Sequence, residues 1–232
     1  MNRVLDVVRV QLVNWRGIFA WPLGILALTL VINLVTFGVL SDDVPSNGRV
    51  TGSLVSIYIV MFVAHLQTIT QVFPFALGLS VTRWAFYAGT TVLVVAQGLL
   101  FGLLLLLLEL VERWTGGWGI GLRYIGLPFL VQDNLLLQWL AYAVPFLAFS
   151  AVGVCFGVVF KRWGQSGVYA VTIGAALVLA GLVLLVSRLG WWPAVGRFFT
   201  DQSTFALLAG YPLVIAVVLG AAGWLVIRRA TP

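Results

Sequence analysis

The stretch at 85–108, AFYAGTTVLVVAQGLLFGLLLLLL, contains no Asp, Glu, Lys or Arg. It exceeds the roughly 20 apolar residues that a helix needs to cross a hydrocarbon core about 30 Å thick. Read outward from it, five further charge-free runs of similar length appear at approximately 18–40, 54–79, 135–160, 166–187 and 205–227. In lipid each must satisfy its backbone internally, which only a helix does within one segment. The expected fold class is therefore an all-α integral membrane protein with six transmembrane helices, forming one domain over 1–232. Pro22, Pro74, Pro145 and Pro212 fall inside these runs, where helices tolerate kinks because neighbours resatisfy the freed groups.

Composition supports the same solvent. Of 232 residues, 62% are hydrophobic and 9% charged, with a mean hydropathy of +1.09. Soluble domains are about a quarter charged. The spans leave no length for a soluble catalytic domain, so a soluble enzyme is excluded. A net charge of +6 arises from arginines and one lysine scattered in ones and twos, which makes no nucleic-acid patch. The single cysteine, Cys155, has no intrachain partner for a disulfide.

Before the first span, residues 2–16 place Val4, Leu5, Val8, Leu12 and Trp15 on one helical face and Arg3, Asp6, Arg9 and Arg16 toward the other. That pattern predicts an amphipathic helix lying in the membrane interface. The apolar run after it is too long for a signal-peptide core and lacks an A-x-A-like cleavage site, so the segment is expected to be retained. With both ends on one side, that side carries Arg3, Arg9, Arg16, Arg83, Lys161, Arg162, Arg228 and Arg229. The other carries Arg49, Arg113, Arg123, Arg188 and Arg197. The positive-inside bias then puts both termini in the cytoplasm of a cell inner or plasma membrane. Tryptophans near the span ends, Trp84, Trp163 and Trp224 among them, fit interfacial anchors.

The most polar intramembrane segment is His65-Leu-Gln67-Thr68-Ile-Thr70-Gln71. Helical spacing puts His65, Thr68 and Gln71 on one stripe with Gln67 beside it, so this face should meet protein or water. A translocation path or dimer face is one reading, and hydrogen bonds that merely join the bundle are the other. No metal site is expected, since His65 is the only histidine and its span holds no acidic or thiol partner. Asn33 and Gln97 read as bridges between helices. Glu109 and Glu112, one turn apart at an outer helix end beside Arg113, read as a solvated pair. The glycines at 116, 117, 119 and 121 lack the strand before and the Gly-Lys-Ser/Thr after that a phosphate loop requires. They describe a flexible or re-entrant loop packed by Trp114, Trp118 and Tyr124. No G-x-S-x-G or H-E-x-x-H series is present, and no catalytic residue is assigned.

Two short connections carry a more specific signal, FPFALGLSVTRWAFYAGT at 73–90 and FKRWGQSG at 160–167. Together with the amphipathic N-terminal helix and the six spans, they resemble the permease subunits of ABC-2 type exporters. The resemblance implies two permeases, a homodimer in the simplest case, working with two copies of a separate ATPase that binds ATP and Mg. No cofactor is implied on this chain. It implies that residues 80–90 form a coupling helix on the ATPase, with Ser80, Arg83, Trp84, Phe86 and Tyr87 in contact. It also makes 190–204 a short re-entrant element. An aromatic and basic turn suits such docking because these residues supply most interface hot spots; an interfacial aromatic belt accounts for Trp84 and Tyr87 too. The competing classes are an ATP-independent channel or secondary transporter, for which ionisable midplane sites are expected, and a membrane accessory protein. An apolar, weakly polar path would suit hydrophobic or amphipathic substrates.

Overall fold

The computed structural model describes residues 3–13, 15–39 and 49–228. Residues 41–48 of the expected outer connection at 41–49, and Arg229, expected on the cytoplasmic side, lie outside them. The fold is built from helices: α1 (Arg3–Leu12), α2 (Trp15–Val39), α3 (Leu54–Gly78), α4 (Arg83–Trp114), α5 (Leu135–Arg188), α6 (Trp192–Asp201) and α7 (Ala206–Ile227). Among the described residues there is no strand, only an isolated bridge between Val50 and Arg123. Five of the helices, α2, α3, α4, α5 and α7, are long and apolar enough to cross a membrane.

The count of five differs from the expected six because the connection at 161–165 is not a loop. Lys161, Arg162 and Trp163 continue the helix, and Leu135–Arg188 is a 54-residue run broken at one residue, Gly164 (φ 67°, ψ −159°). That conformation is essentially reserved for glycine. A Cβ on Gly167 would collide with that of Trp163, which in an unbroken helix stands a full turn away. The chain therefore turns sharply at Gly164. Arm 135–163 packs in the bundle, while nearly every residue of arm 165–188 is exposed.

Two of the four prolines sit just after widened turns. Phe73 N–H reaches back to Thr68 O and Tyr211 N–H to Ala206 O, closing π turns over Thr68–Val72 and Ala206–Gly210. Pro74 and Pro212 follow at once. The extra residue shifts the register where proline removes a donor and crowds the preceding turn. Pro22 and Pro145 lie inside α2 and α5.

Packing forms two apolar clusters. One joins α2, α3, α4 and the first arm of α5 through Leu26, Ile57, Phe101 and Phe146, and includes Leu122, Tyr124 and Ile125 of the connection after α4. The other joins α1, the end of α3, the start of α4, α5 and the end of α7 through Val7, Phe73, Phe86, Val158 and Ile227. Close helix approach depends on small residues. Gly102 lies against the Ala143 backbone, and Gly153 against the Phe62 carbonyl. Gly157 abuts Ile69, so the Gly153/Gly157 pair is used inside the chain.

Candidate functional site

The polar stripe of α3 lines a cavity of about 730 Å³ bounded by α1, α2, α3 and α4. His65, Gln67, Thr68 and Gln71 all face it, together with Gln97 of α4 and Gln11 of α1. None of its described lining residues carries a fixed charge. His65 is 3% exposed, and its Nδ1 lies 2.9 Å from Met61 O. A carbonyl only accepts, so Nδ1 carries the proton. The Gln97 side chain hydrogen-bonds to the same imidazole. Gln97 Oε1 is buried without a partner. Gln97 thus bridges helices as the sequence indicates, but with one end of its amide left over.

Gln11 was not apparent in the sequence. The expected apolar face runs through Val4, Leu5, Val8, Leu12 and Trp15; of these Val4, Val8 and Leu12 are half-buried, while the buried residues of α1 are Val7 and Gln11. Leu5 and Trp15 are exposed. Val7 fits against Gly89, where a Cβ would come within 2.8 Å of Val7 Cγ1. This seats Gln11 so that its Nε2 donates to Thr90 Oγ1 (2.9 Å) while Oε1 stays buried and unpartnered. The signal was the valines that interrupt the polar side of α1. Asn33 does bridge helices: its Nδ2 donates to Thr29 O (2.7 Å) and to Ser53 Oγ (2.8 Å).

The turn between α3 and α4 divides the expected coupling residues. Thr82 caps α4 by accepting from Ala85 N–H (3.2 Å). Ser80 is exposed in a left-handed conformation (φ 60°). Trp84 is 60% exposed, and Arg83 Nη1 donates to Arg228 O (3.1 Å). Phe86 is buried and Tyr87 half-buried. Phe86 is fully buried against Phe73. The Tyr87 hydroxyl donates to Gly220 O (2.5 Å), its ring 5.7 Å from Trp224. Helical spacing sets Phe86 on the side of the turn away from Trp84, whereas Tyr87 falls on the same side as Arg83 and is held by its contacts to α7.

At the opposite end, Glu109 and Glu112 are not a solvated pair; they are 0% and 4% exposed. Arg113 Nε donates to Glu109 Oε1 (2.6 Å), and Nη2 pairs with the same oxygen. Glu112 gathers the connection after α4. Its Oε2 accepts from Trp118 Nε1 (2.9 Å), Tyr124 N–H (3.1 Å) and Ile125 N–H (2.9 Å), and its Oε1 from Gly126 N–H (2.9 Å). The glycines make the turn possible, with positive φ at Gly116, Gly117, Gly119 and Gly121. Trp118 also has positive φ (58°) and is held there through its indole bond to Glu112. The chain then enters the bundle, where Tyr124 O–H donates to Leu26 O (2.8 Å) and lies 2.6 Å from Thr29 Oγ1. Burial pushes the Tyr124 phenol above its ordinary range, partly offset by the Thr29 hydrogen bond. The packing expected of Tyr124 is present, while Trp114 is almost wholly exposed.

An all-helical bundle with five long apolar helices fits a multi-pass membrane protein. No protein-family model matches the chain, and neither a characterised protein nor a solved structure matches it.

Proposed function

We propose that this chain is the transmembrane permease subunit of an ATP-binding-cassette exporter of the ABC-2 type, coupled to a separate ATPase and forming a path for an amphipathic or hydrophobic substrate. The observation that carries this reading is the uncharged, polar-lined cavity between α1, α2, α3 and α4, set in a bundle of apolar helices. Residue-level support comes from the resemblance at 73–90 and from the exposed Ser80 and Trp84 and the half-buried Arg83 at the turn between α3 and α4. α1, the start of α4 and the end of α7 share one apolar cluster. This gathers Arg3, Arg9, Arg83 and Arg228 at one end and favours a cytoplasmic placement for it. On this reading α5 crosses twice, turning at Gly164, which makes six spans. If straight it would measure roughly 80 Å at 1.5 Å per residue, against a core of about 30 Å. The second arm, exposed on every side, supplies the contact surface of a homodimer. Two ATPase copies complete the assembly and bring ATP and Mg.

Co-purification from native membranes tests the coupling. An ATPase subunit should accompany the wild-type chain and be lost with the double variant Arg83→Ala, Trp84→Ala, while insertion stays normal. A double variant that kept both partner and transport would end this assignment and favour the channel or accessory-protein class.

A further inference from the structure

We infer that the groove between α4, the first arm of α5 and α7 holds an acyl chain of an anionic phospholipid, whose headgroup is drawn to basic residues at the groove's mouth. The inference goes beyond the permease reading and does not depend on it. The groove has a volume of about 350 Å³ and is walled almost entirely by apolar side chains. Its few hydroxyls are already engaged. Tyr87 donates to Gly220 O, Thr91 donates to Tyr87 O (2.9 Å), and Thr90 Oγ1 accepts from Gln11 Nε2. What is left to cover is hydrocarbon. Val95, Leu213 and Val217 are exposed along the rim, so the groove opens sideways into lipid. On α4 it runs from Tyr87 to Val95, about 12 Å at 1.5 Å per residue, against roughly 15 Å for one leaflet of the hydrocarbon core.

Charge supplies the second, independent observation. On each of the three helices the stripe that lines the groove leads to a basic residue, because positions three and four apart share a helix face. On α4, Val95, Thr91 and Tyr87 lead in steps of four to Arg83. On α7, Val217 and Ala221 lead through Trp224 to Arg228. On α5, Ala151 and Val154 lead through Val158 to Lys161. The ends meet: Arg83 Nη1 donates to Arg228 O (3.1 Å), and Cys155 Sγ donates to Leu219 O (3.1 Å), which ranks α5 beside α7. None of the three cations has an acidic partner among the described residues, and Asp6, the acid described at this end, lies 3.8 Å from Arg9. From the groove's end to these positions is about 6 Å on α4 and about 10 Å on α5 and α7. That is the depth of the headgroup region, about 5–7 Å a side, plus the reach of a long basic side chain. A choline head would add a fourth cation there. A phosphodiester with an uncharged head brings net negative charge, to which each nearby basic residue adds about fivefold in affinity.

The test uses the full chain in neutral detergent and native mass spectrometry, with dioleoyl phosphatidylglycerol and dioleoyl phosphatidylcholine as probes. Their chains are identical, so a preference reads the headgroup. Phosphatidylglycerol should be retained about fivefold or more over phosphatidylcholine. Lys161→Gln with Arg228→Gln should bring that preference below about twofold and leave phosphatidylcholine retention unchanged. Arg83 still has its acceptor in this variant, a backbone carbonyl. Gly220→Leu tests the groove itself. Nothing lies within 4 Å of its Cβ position, so the side chain fills the groove without displacing a neighbour and should lower retention of both lipids about fivefold. Gly174→Leu, equally open but on the exposed arm, should change neither. Equal retention of the two lipids, an unchanged preference in the double basic variant, or unchanged retention in Gly220→Leu would overturn the inference. No variant alters Ser80, Arg83 or Trp84, so this result and ATPase co-purification stand or fall separately.

Discussion

Single side chains decide the roles of the most informative positions. Glu112 sits 4% exposed with four hydrogen bonds on its two oxygens. Bonds to an ionised group contribute about 1.5–3 kcal/mol each. Glu112→Gln replaces one acceptor oxygen by an N–H donor facing donors and should destabilise the 115–130 connection by at least about 2 kcal/mol. Limited proteolysis checks this, with cleavage after Arg123 appearing in the variant at protease levels that spare the wild type. Phe86 and Trp84 form a second contrast. Phe86→Ala opens a hole in a packed cluster and should cost about 3–5 kcal/mol in thermal unfolding. Trp84→Ala should leave stability within about 0.5 kcal/mol and reduce partner retention. Equal thermal shifts for the two would contradict the split between inward and outward residues. The sequence does reveal that His65, Thr68 and Gln71 share a stripe, because spacing of three residues along a helix fixes that; Gln67 joins the cavity wall from beside it. It does not reveal the burial of Glu112, whose partners are backbone amides with no side-chain signature.

Elements show a similar division between what periodicity records and what packing adds. Spans α2, α3, α4 and α7 follow from the charge-free runs to within a few residues at most ends, because hydropathy and length decide whether a helix is stable in lipid. The facing of α1 does not follow. It carries two apolar faces, and only Gly89 on α4, which admits Val7, selects one. Gly153 controls the α3 to α5 contact, since any side chain there meets the Phe62 carbonyl. Gly153→Leu should separate these helices and lower the thermal midpoint, whereas Gly174→Leu, with nothing within 4 Å of its Cβ position, should not. Gly164 is the position where one residue governs an element. Its φ and ψ are costly for any other residue, about 1–3 kcal/mol, so Gly164→Ala should favour a straight rod over the turn. A cysteine placed at Gln202 reads this out: labelling from outside in the wild-type background should drop in Gly164→Ala.

At the scale of the whole molecule, arm 165–188 is apolar, exposed on every side and carries Gly174 and Gly181 open to close approach. Small residues on such a face permit tight helix pairing in lipid. Crosslinking of a Gly174→Cys variant in native membranes should trap a homodimer, and recovery of monomer alone would remove that contact from the proposed assembly. The sequence marks this arm as a span but not as the part that leaves the bundle, because a helix that is apolar all round gives no periodic signal of what covers it. The anchor around Glu112 bears on how such a bundle is put together as it is synthesised. Its amide partners follow it by only 12, 13 and 14 residues, a short loop to close. This plug can therefore set as soon as Gly126 has emerged, before α5 follows it. Tyr142, which donates to Ile125 O (3.2 Å), then docks the arriving helix onto a surface already in place. Vectorial synthesis thus makes the capped end of the molecule the template on which its second half is assembled.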